Sequence, residues 1–493
     1  MSAYTKCALG LRGLTILRKD LRSGGGWRSA AVLLAGLLGA TLVPAAPAAA
    51  VHGAVPGDFN GDGYSDAVLP APGANVAGQE AAGAVVVLYG SASGLSATRR
   101  KTITQNVAGV PSSAEPFDRF GSATATADLN RDGYADLVVS APYEDTAKGK
   151  NAGLVTVSWG SKSGLTTATE LPSPDKDPGY FGIDLSALGA GPGAKTQVLV
   201  GGWSGSALFR GPFSRTGTFG SVALEDMTPS VGSVTLGDFN GDTTPDPAVV
   251  TVGLSDLSGG AVYTDLGFAD HPLAGNGRIA ASGDLNGDGY ADLVVGDPDE
   301  PETTSGDGAL GGRVLVWYGT ATGIADDARP VQVTQNTAGV PGTSERHDAF
   351  GGALAVADLN RDGLADIVVG TPYEGVAGKS QSGEVTIIPG RRTGALGTGS
   401  YSFNQYTAGV PGGNEAQDLL GTTVSVGDVN KDGKPELFVG AAGENNLTGA
   451  VWVFPGGASG PTAKGSRVFT AASVNLTQYN DTLLGGSGLF WVI

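Results

Sequence analysis

The apolar positions of this chain alternate over short stretches or gather into short β-branched runs, and the repeating units show no helical periodicity. Residues 350–404 give the order most clearly. An alternating segment, GGALAVA, leads into an acidic loop, and the run ADIVVG follows at once, which is the pattern of a β-hairpin. A variable loop opening with Pro372-Tyr373-Glu374 leads to a third strand, GEVTIIPG, and a weaker fourth falls around Tyr401 to Tyr406 after a glycine-rich turn. Third strands of the same kind recur as VVVLYGSASGL (85–95), VTVSWGSKSGL (155–165) and VLVWYGTATGI (314–324). Four antiparallel strands per unit predict an all-β propeller blade.

The acidic loop fixes the number of blades. DFNGDGYSD (58–66) recurs as DLNRDGYAD (128–136), DFNGDTTPD (238–246), DLNGDGYAD (284–292), DLNRDGLAD (358–366) and DVNKDGKPE (428–436). The leading acids are spaced 70, 110, 46, 74 and 70 residues apart, so the long gap hides one more unit. Residues 180–202 keep the flanking pattern without the acids. Seven blades follow. The tail LGGSGLFWVI (484–493) resembles the segments that open other blades, and it is expected to pair with blade 1 and remove two exposed sheet edges. Val51 to Gly57 is the competing segment for that slot.

Composition narrows the function. With 82 glycines in 493 residues turns must be frequent, and 41% hydrophobic residues suffice for a large core. A formal charge of −18 repels phosphate backbones and anionic membranes, so nucleic acid is excluded as a partner. Residues 1–50 read as a signal peptide: Lys6, Arg12, Arg18, Lys19, Arg22 and Arg28 precede an apolar run from Ala30 to Val43, and an A-x-A cleavage site ends at Ala50. The run is short for a bilayer span. The alternative is an uncleaved anchor. Cleavage predicts a secreted, extracellular, monomeric chain, residues 51–493, that is one propeller domain with no membrane span and a net charge of −23. Cys7 is the only cysteine, and the only histidines are His52, His271 and His347, so Cys/His zinc sites drop out.

In DxNxDGxxD the first, third and fifth side chains offer oxygens, the sixth residue permits a sharp turn, the seventh offers its carbonyl and the ninth another carboxylate. All-oxygen ligation with flexible carboxylates suits calcium better than magnesium or zinc. About five sites are expected: Asp58, Asn60, Asp62, Tyr64 and Asp66; Asp128, Asn130, Asp132, Tyr134 and Asp136; Asp284, Asn286, Asp288, Tyr290 and Asp292; Asp358, Asn360, Asp362, Leu364 and Asp366; and Asp428, Asn430, Asp432, Lys434 and Glu436. The loop at Asp238 has Thr243 in place of glycine and carries Pro245, so weak or no binding is expected there. The rival reading is a set of bare hairpin turns, which Asn-Gly and Asp-Gly also favour.

Phe-Gly in the strand that opens a blade, DxNxDG in the following hairpin, and endings such as Ser140-Ala141-Pro142, Gly296-Asp297-Pro298 and Gly370-Thr371-Pro372 closely resemble the FG-GAP repeats of the integrin α-chain N-terminal domain. Bacterial secreted proteins with such repeats are similar, as is the C-terminal propeller of glycosylphosphatidylinositol-specific phospholipase D. The resemblance implies a seven-bladed propeller with calcium in the strand 1 to 2 hairpins. It does not carry over integrin heterodimers, nor the zinc-dependent catalytic domain of the phospholipase.

Three function classes remain: an adhesion or ligand-binding module for an extracellular protein or glycan, a phospholipase- or glycosidase-like hydrolase, and a sugar-binding lectin. Nothing in the pattern looks catalytic, so the binding module leads. Topology places the long, varied loops opposite the acidic hairpins, with Tyr143, Glu144, Tyr373 and Glu374 as expected anchors. Three crossovers also repeat an acid pair, Glu115/Asp118, Glu345/Asp348 and Glu415/Asp418, read either as caps on backbone N–H groups or as a second cation or ligand surface.

Overall fold

The structure, a computed structural model, describes residues 48–49 and 57–488, apart from 175–178, 190–194, 228–229, 254–258, 265–270 and 302–306. The chain forms a seven-bladed β-propeller of mostly four-stranded antiparallel sheets. Blade 6 shows the plan: Ala353–Ala357, Asp366–Thr371, Glu384–Ile388 and Tyr401–Phe403 lie side by side, with Ala357 opposite Asp366 and Ile367 opposite Ile388. Blades 2, 3, 4, 5 and 7 begin at Thr124, Leu185, Val231, Ile279 and Leu420. Blade 3 has four strands without an acidic loop, as the gap in the repeat spacing requires.

One register point recurs. The residue before the loop's first acid always faces the ninth residue: Ala127 and Asp136, Gly237 and Asp246, Gly283 and Asp292, Gly427 and Glu436, and in blade 1 Gly57 and Asp66. The inner strands are buried on both faces because each sheet is sandwiched between neighbours. Seven apolar clusters result, one at each interface between blades. Blades 5 and 6 share Val294, Val316, Leu354 and Ile367, for example, and blades 7 and 1 share Phe438, Val451, Leu69 and Val86. Trp159, Trp317 and Trp452, all on third strands, are almost wholly buried.

The chain crosses between blades at a close approach of two backbones. A Cβ on Gly83 would lie 2.2 Å from the Phe120 carbonyl oxygen, and one on Gly383 would lie 2.1 Å from that of Leu420. Gly449 meets Leu484 in the same way, at 2.5 Å from its nitrogen. Leu484 therefore stands where Phe120 and Phe350 stand, and Gly485 donates its N–H to Pro70 at 2.8 Å, as Gly121 does to Ser140. The tail enters blade 1 as expected. Gly57 holds the far end of the same strand position, and the residues between, 51–56 and 489–493, lie outside the described residues. Of the expected signal peptide, only Ala48–Ala49 is described, pairing antiparallel with Val356 and Ala355.

Closure at Gly449 is testable against Gly78, which has a similar left-handed backbone (φ 79° and 89°) but open space where its Cβ would be. The backbone cost of alanine, roughly 1 to 2 kcal/mol, is shared by both sites. Only Gly449→Ala adds an overpacking cost of about 1 to 3 kcal/mol. Its melting temperature should fall below that of Gly78→Ala by several degrees, and equal melting would show that the tail does not bear on blade 7.

Candidate metal centres

Each acidic hairpin is folded by its own side chains. In blade 1, Asp58 Oδ1 accepts the N–H groups of Gly61 at 2.7 Å and Asp62 at 3.1 Å, while its Oδ2 accepts that of Gly63 at 2.7 Å. Asn60 takes the Asp62 N–H at 2.9 Å, and Asp62 takes that of Tyr64 at 3.0 Å. The other expected loops repeat this pattern. Asn130, Asn286, Asn360 and Asn430 accept from the fifth residue, and Asp132, Asp288, Asp362 and Asp432 accept from Tyr134, Tyr290, Leu364 and Lys434. Asp128, Asp284, Asp358 and Asp428 each accept the N–H of the turn glycine at 2.9–3.0 Å. The first, third and fifth side chains are therefore folded over one stretch of backbone in all five loops.

The ninth acid is the buried one. Asp66, Asp136, Asp292, Asp366 and Glu436 are at most 3% exposed. Asp66 accepts from Phe59 at 3.0 Å and from Gly90, in the strand 3 to 4 turn, at 2.9 Å; Asp136 does the same with Leu129 and Gly160, and Asp366 with Leu359 and Gly390. Burial pushes all five carboxyls up to about 7, against the backbone donors and with the charges of the first and fifth acids adding to the rise. In blade 7 Asp428 Oδ1 is buried without a hydrogen-bond partner. A buried carboxylate repelled by two others, beside an orphaned oxygen, fits a hard cation held by oxygens.

The loop at Asp238 keeps the same turn. Thr243 adopts the left-handed backbone (φ 69°) and donates to Asp238 Oδ2 at 2.9 Å, so losing the glycine does not unfold the loop. Asp246 differs from its counterparts: its Oδ1 has only the Asn240 amide at 3.4 Å, with no strand 3 to 4 turn amide bonded to it among the described residues. In blade 2 a cation of the protein's own intrudes, since Arg215 pairs with Asp132 at 2.6 Å.

A family model of the FG-GAP repeat matches residues 50–88, 120–158, 276–317, 350–388 and 420–454, which include all five expected loops whole. The chain is an FG-GAP repeat β-propeller. Its FG-GAP repeats are related to those of integrin α chains and of the phospholipase. It is 34% identical over 169 residues to phosphatidylinositol-glycan-specific phospholipase D of Mus musculus, covering 34% of this chain and 18% of the relative. The human protein of the same name is 32% identical over 237 residues, covering 46% and 26%. Integrin alpha-V of Gallus gallus is 32% identical over 223 residues, covering 43% and 20%. The matched stretches thus span about a quarter or less of each relative's length. Among the described residues no helix is long and apolar enough to cross a membrane.

On the face opposite the FG-GAP hairpins, the expected anchors are drawn inward. Glu144 is 3% exposed and takes the Gln105 amide at 2.6 Å as well as the Ser112 hydroxyl. Glu374 takes the Gln335 amide at 2.6 Å. Tyr143 is half-buried, edge-on to Tyr180 with ring centroids 5.3 Å apart. The crossover acids do cap backbone: Asp118, Asp348 and Asp418 accept the N–H groups of Glu115, Glu345 and Glu415 at 2.6, 2.6 and 2.8 Å. The sequence reading missed the glutamines, although one stands three residues before each AGVP and the bonded glutamate follows 39 residues later in all three repeats. His271 and His347 are exposed in separate blades, and His52 lies outside the described residues.

A carboxyl whose pKa is raised by folding binds more protons in the folded state. Its contribution is therefore fully present below about pH 4, the unfolded value, and is lost as pH rises toward 7. In chelator the melting temperature should fall between pH 5 and pH 8. A profile that is flat or rising over that window contradicts the buried-acid account.

Proposed function

We propose that this chain is a secreted, calcium-loaded binding module that recognises an extracellular protein or glycan on the face opposite its FG-GAP hairpins. The observation that supports this reading most is where the large apolar side chains lie exposed. Phe117, Tyr406 and Tyr479 stand in blade-to-blade crossovers, and Trp203, Leu310 and Leu447 in strand 2 to 3 connections, all on that face. The two remaining, Leu224 and Val331, are on outer strands, and none is on the hairpin face among the described residues. Exposed aromatic side chains supply contact area at low entropic cost and serve proteins and sugars alike. A relative named as an integrin agrees with adhesion, while one named as a phospholipase keeps a hydrolase in view.

Calcium's role on this reading is to neutralise the buried acids and lock the loops. The ligands would be the side chains of the first, third, fifth and ninth positions with the seventh carbonyl. Blade 2 should bind least tightly of the five, because Arg215 already occupies Asp132. Calcium at 100 times its Kd adds about 2.7 kcal/mol per site, so the melting temperature should rise with calcium and fall in chelator. Asp362→Ala should lose more of that rise than Asp242→Ala. Identical melting curves in chelator and in millimolar calcium would overturn the assignment.

For the ligand face, the calcium-loaded chain should be screened on a glycan array and against immobilised extracellular matrix proteins. Changing Phe117, Trp203 and Tyr479 together to Ser should reduce binding at least tenfold and leave calcium-dependent melting unchanged. Binding that survives this change places the surface elsewhere, and turnover of ester or glycoside substrates by the same preparation would favour the hydrolase.

A further inference from the structure

On the face opposite the hairpins, one carboxylate collects hydrogen bonds from three points of a single crossover. Glu144 lies in the connection between Asp136–Ala141 and Leu154–Trp159 of blade 2 and is 3% exposed. Its partners come from the crossover that runs from Arg100–Ile103 to Thr124–Ala127. The Gln105 amide donates to Oε2 at 2.6 Å, and the Ser112 hydroxyl donates to Oε1. The third partner is Asp118, 2% exposed, whose carboxyl stands within hydrogen-bond reach of Glu144. Oδ2 of Asp118 already accepts the Glu115 N–H at 2.6 Å. Two carboxyl groups have no donor between them unless one carries a proton.

The surroundings do not supply a counter-charge. Among the described residues no lysine or arginine forms an ion pair with Asp118 or Glu144. Glu115, exposed on the same crossover, adds its negative field to both. Asp145, beside Glu144, accepts the Asn151 N–H at 2.7 Å, and the Arg119 guanidinium lies over the Tyr143 ring, 6.0 Å from its centroid, in the field of Asp481. Glu80, from the blade 1 connection packed on the crossover, gives its backbone carbonyl to the Phe117 N–H at 2.8 Å. Burial, and then the charge of Glu144, hold Asp118 up to about 7 against the Glu115 donor, and burial raises Glu144 as well. The other two repeats lack the contact: Asp348 and Asp418 reach Glu374 and Glu444 by charge, without a hydrogen bond. They have Gly342 and Gly412 where blade 2 has Ser112, which takes the left-handed backbone (φ 71°) that favours glycine and spends its hydroxyl on Glu144.

We infer that Asp118 and Glu144 form a proton-operated clasp, in which one proton carried by Asp118 and donated to Glu144 holds the crossover against blade 2, and its loss sets the two segments in repulsion. The pair titrates as a unit. Because folding raises the carboxyl above its unfolded value, the stabilisation is fully present below about pH 4 and is lost as pH rises through about 7. The clasp is shut in mild acid and released just above neutrality. Phe117, 51% exposed, stands on that crossover next to Asp118, and Tyr143 precedes Glu144, so release loosens part of the face proposed for recognition.

The test is amide hydrogen exchange of the full chain in millimolar calcium, with the strands of blade 2 as internal reference so that a change confined to the crossover is separated from one of the whole ring. After correction for intrinsic exchange rates, protection of the crossover amides relative to those strands should fall about tenfold or more between pH 5.5 and pH 8. Asp118→Asn keeps an oxygen for the Glu115 N–H and offers Glu144 an N–H that pH cannot remove. At pH 8 its crossover should exchange about tenfold more slowly than the parent's, and at pH 5.5 the two should match. A variant no slower than the parent at pH 8 overturns the clasp. Should the variant fail to fold, the parent series decides alone, and crossover protection that does not change between the two pH values overturns it equally. Neither readout requires a ligand, so failure to find one leaves this test intact.

Discussion

The ring is joined by the residue that sits between the first two oxygen-bearing side chains of each acidic loop. Phe59, Leu129, Phe239, Leu285, Leu359 and Val429 occupy this second position, and all are buried in the cluster shared with the next blade. The backbone around it carries the same contact. Asp58 accepts the N–H of Ala135, Asp238 that of Ala291, Asp284 that of Ala365 and Asp428 that of Ser65, so the first residue of one loop is bonded to the eighth of the next. The carbonyls of Phe59, Phe239, Leu285 and Val429 then take an amide from the next blade's strand 3 to 4 turn. A loop that gathers carboxylates is thus also the hinge pin between sheets. The bond from Ser65 to Asp428 carries the chain of contacts from the last blade back to the first.

This double duty explains why the ninth acid lies so deep. It ties down the second residue's N–H and, in blades 1, 2, 5 and 6, the glycine of the strand 3 to 4 turn, from inside the sheet where water does not reach. In the proposed calcium-loaded state, binding the cation and holding two strands in register are one event. Blade 3 lacks the acids and holds to blade 2 by other means, with the Thr196 hydroxyl donating to the Leu129 carbonyl at 2.9 Å.

Much of this was legible because the repeats hold positions constant while the rest drifts. Loop spacing gave the blade number, and the match between residues 484–488 and Phe-Gly segments gave the route of the tail. The acidic loops were visible position by position, since the first, third, fifth and ninth residues are oxygen-bearing side chains at fixed offsets. Burial of Glu144 and Glu374 was not visible. Each depends on a glutamine 39 residues earlier, just after strand 4 of the preceding blade, and proximity between blades leaves no mark on local pattern. The approach of Glu444 to Glu415 and Asp418 was hidden for a related reason: it belongs to a different loop, and only the fold brings the three together.

The bond from Gly485 to Pro70 joins residues 415 positions apart in the chain. Loop-closure entropy grows only with the logarithm of length, so this contact costs roughly 1.6 kcal/mol more than closing a single 70-residue repeat. That is small beside the burial of a whole blade interface. Its weight is kinetic, because contacts of high sequence separation form late. Six neighbouring pairs of blades can assemble locally as each is completed, but the seventh interface waits for the farthest part of the chain. Until then the protein is an open arc with two bare sheet faces, and the time spent in that state governs its exposure to proteolysis and misassembly.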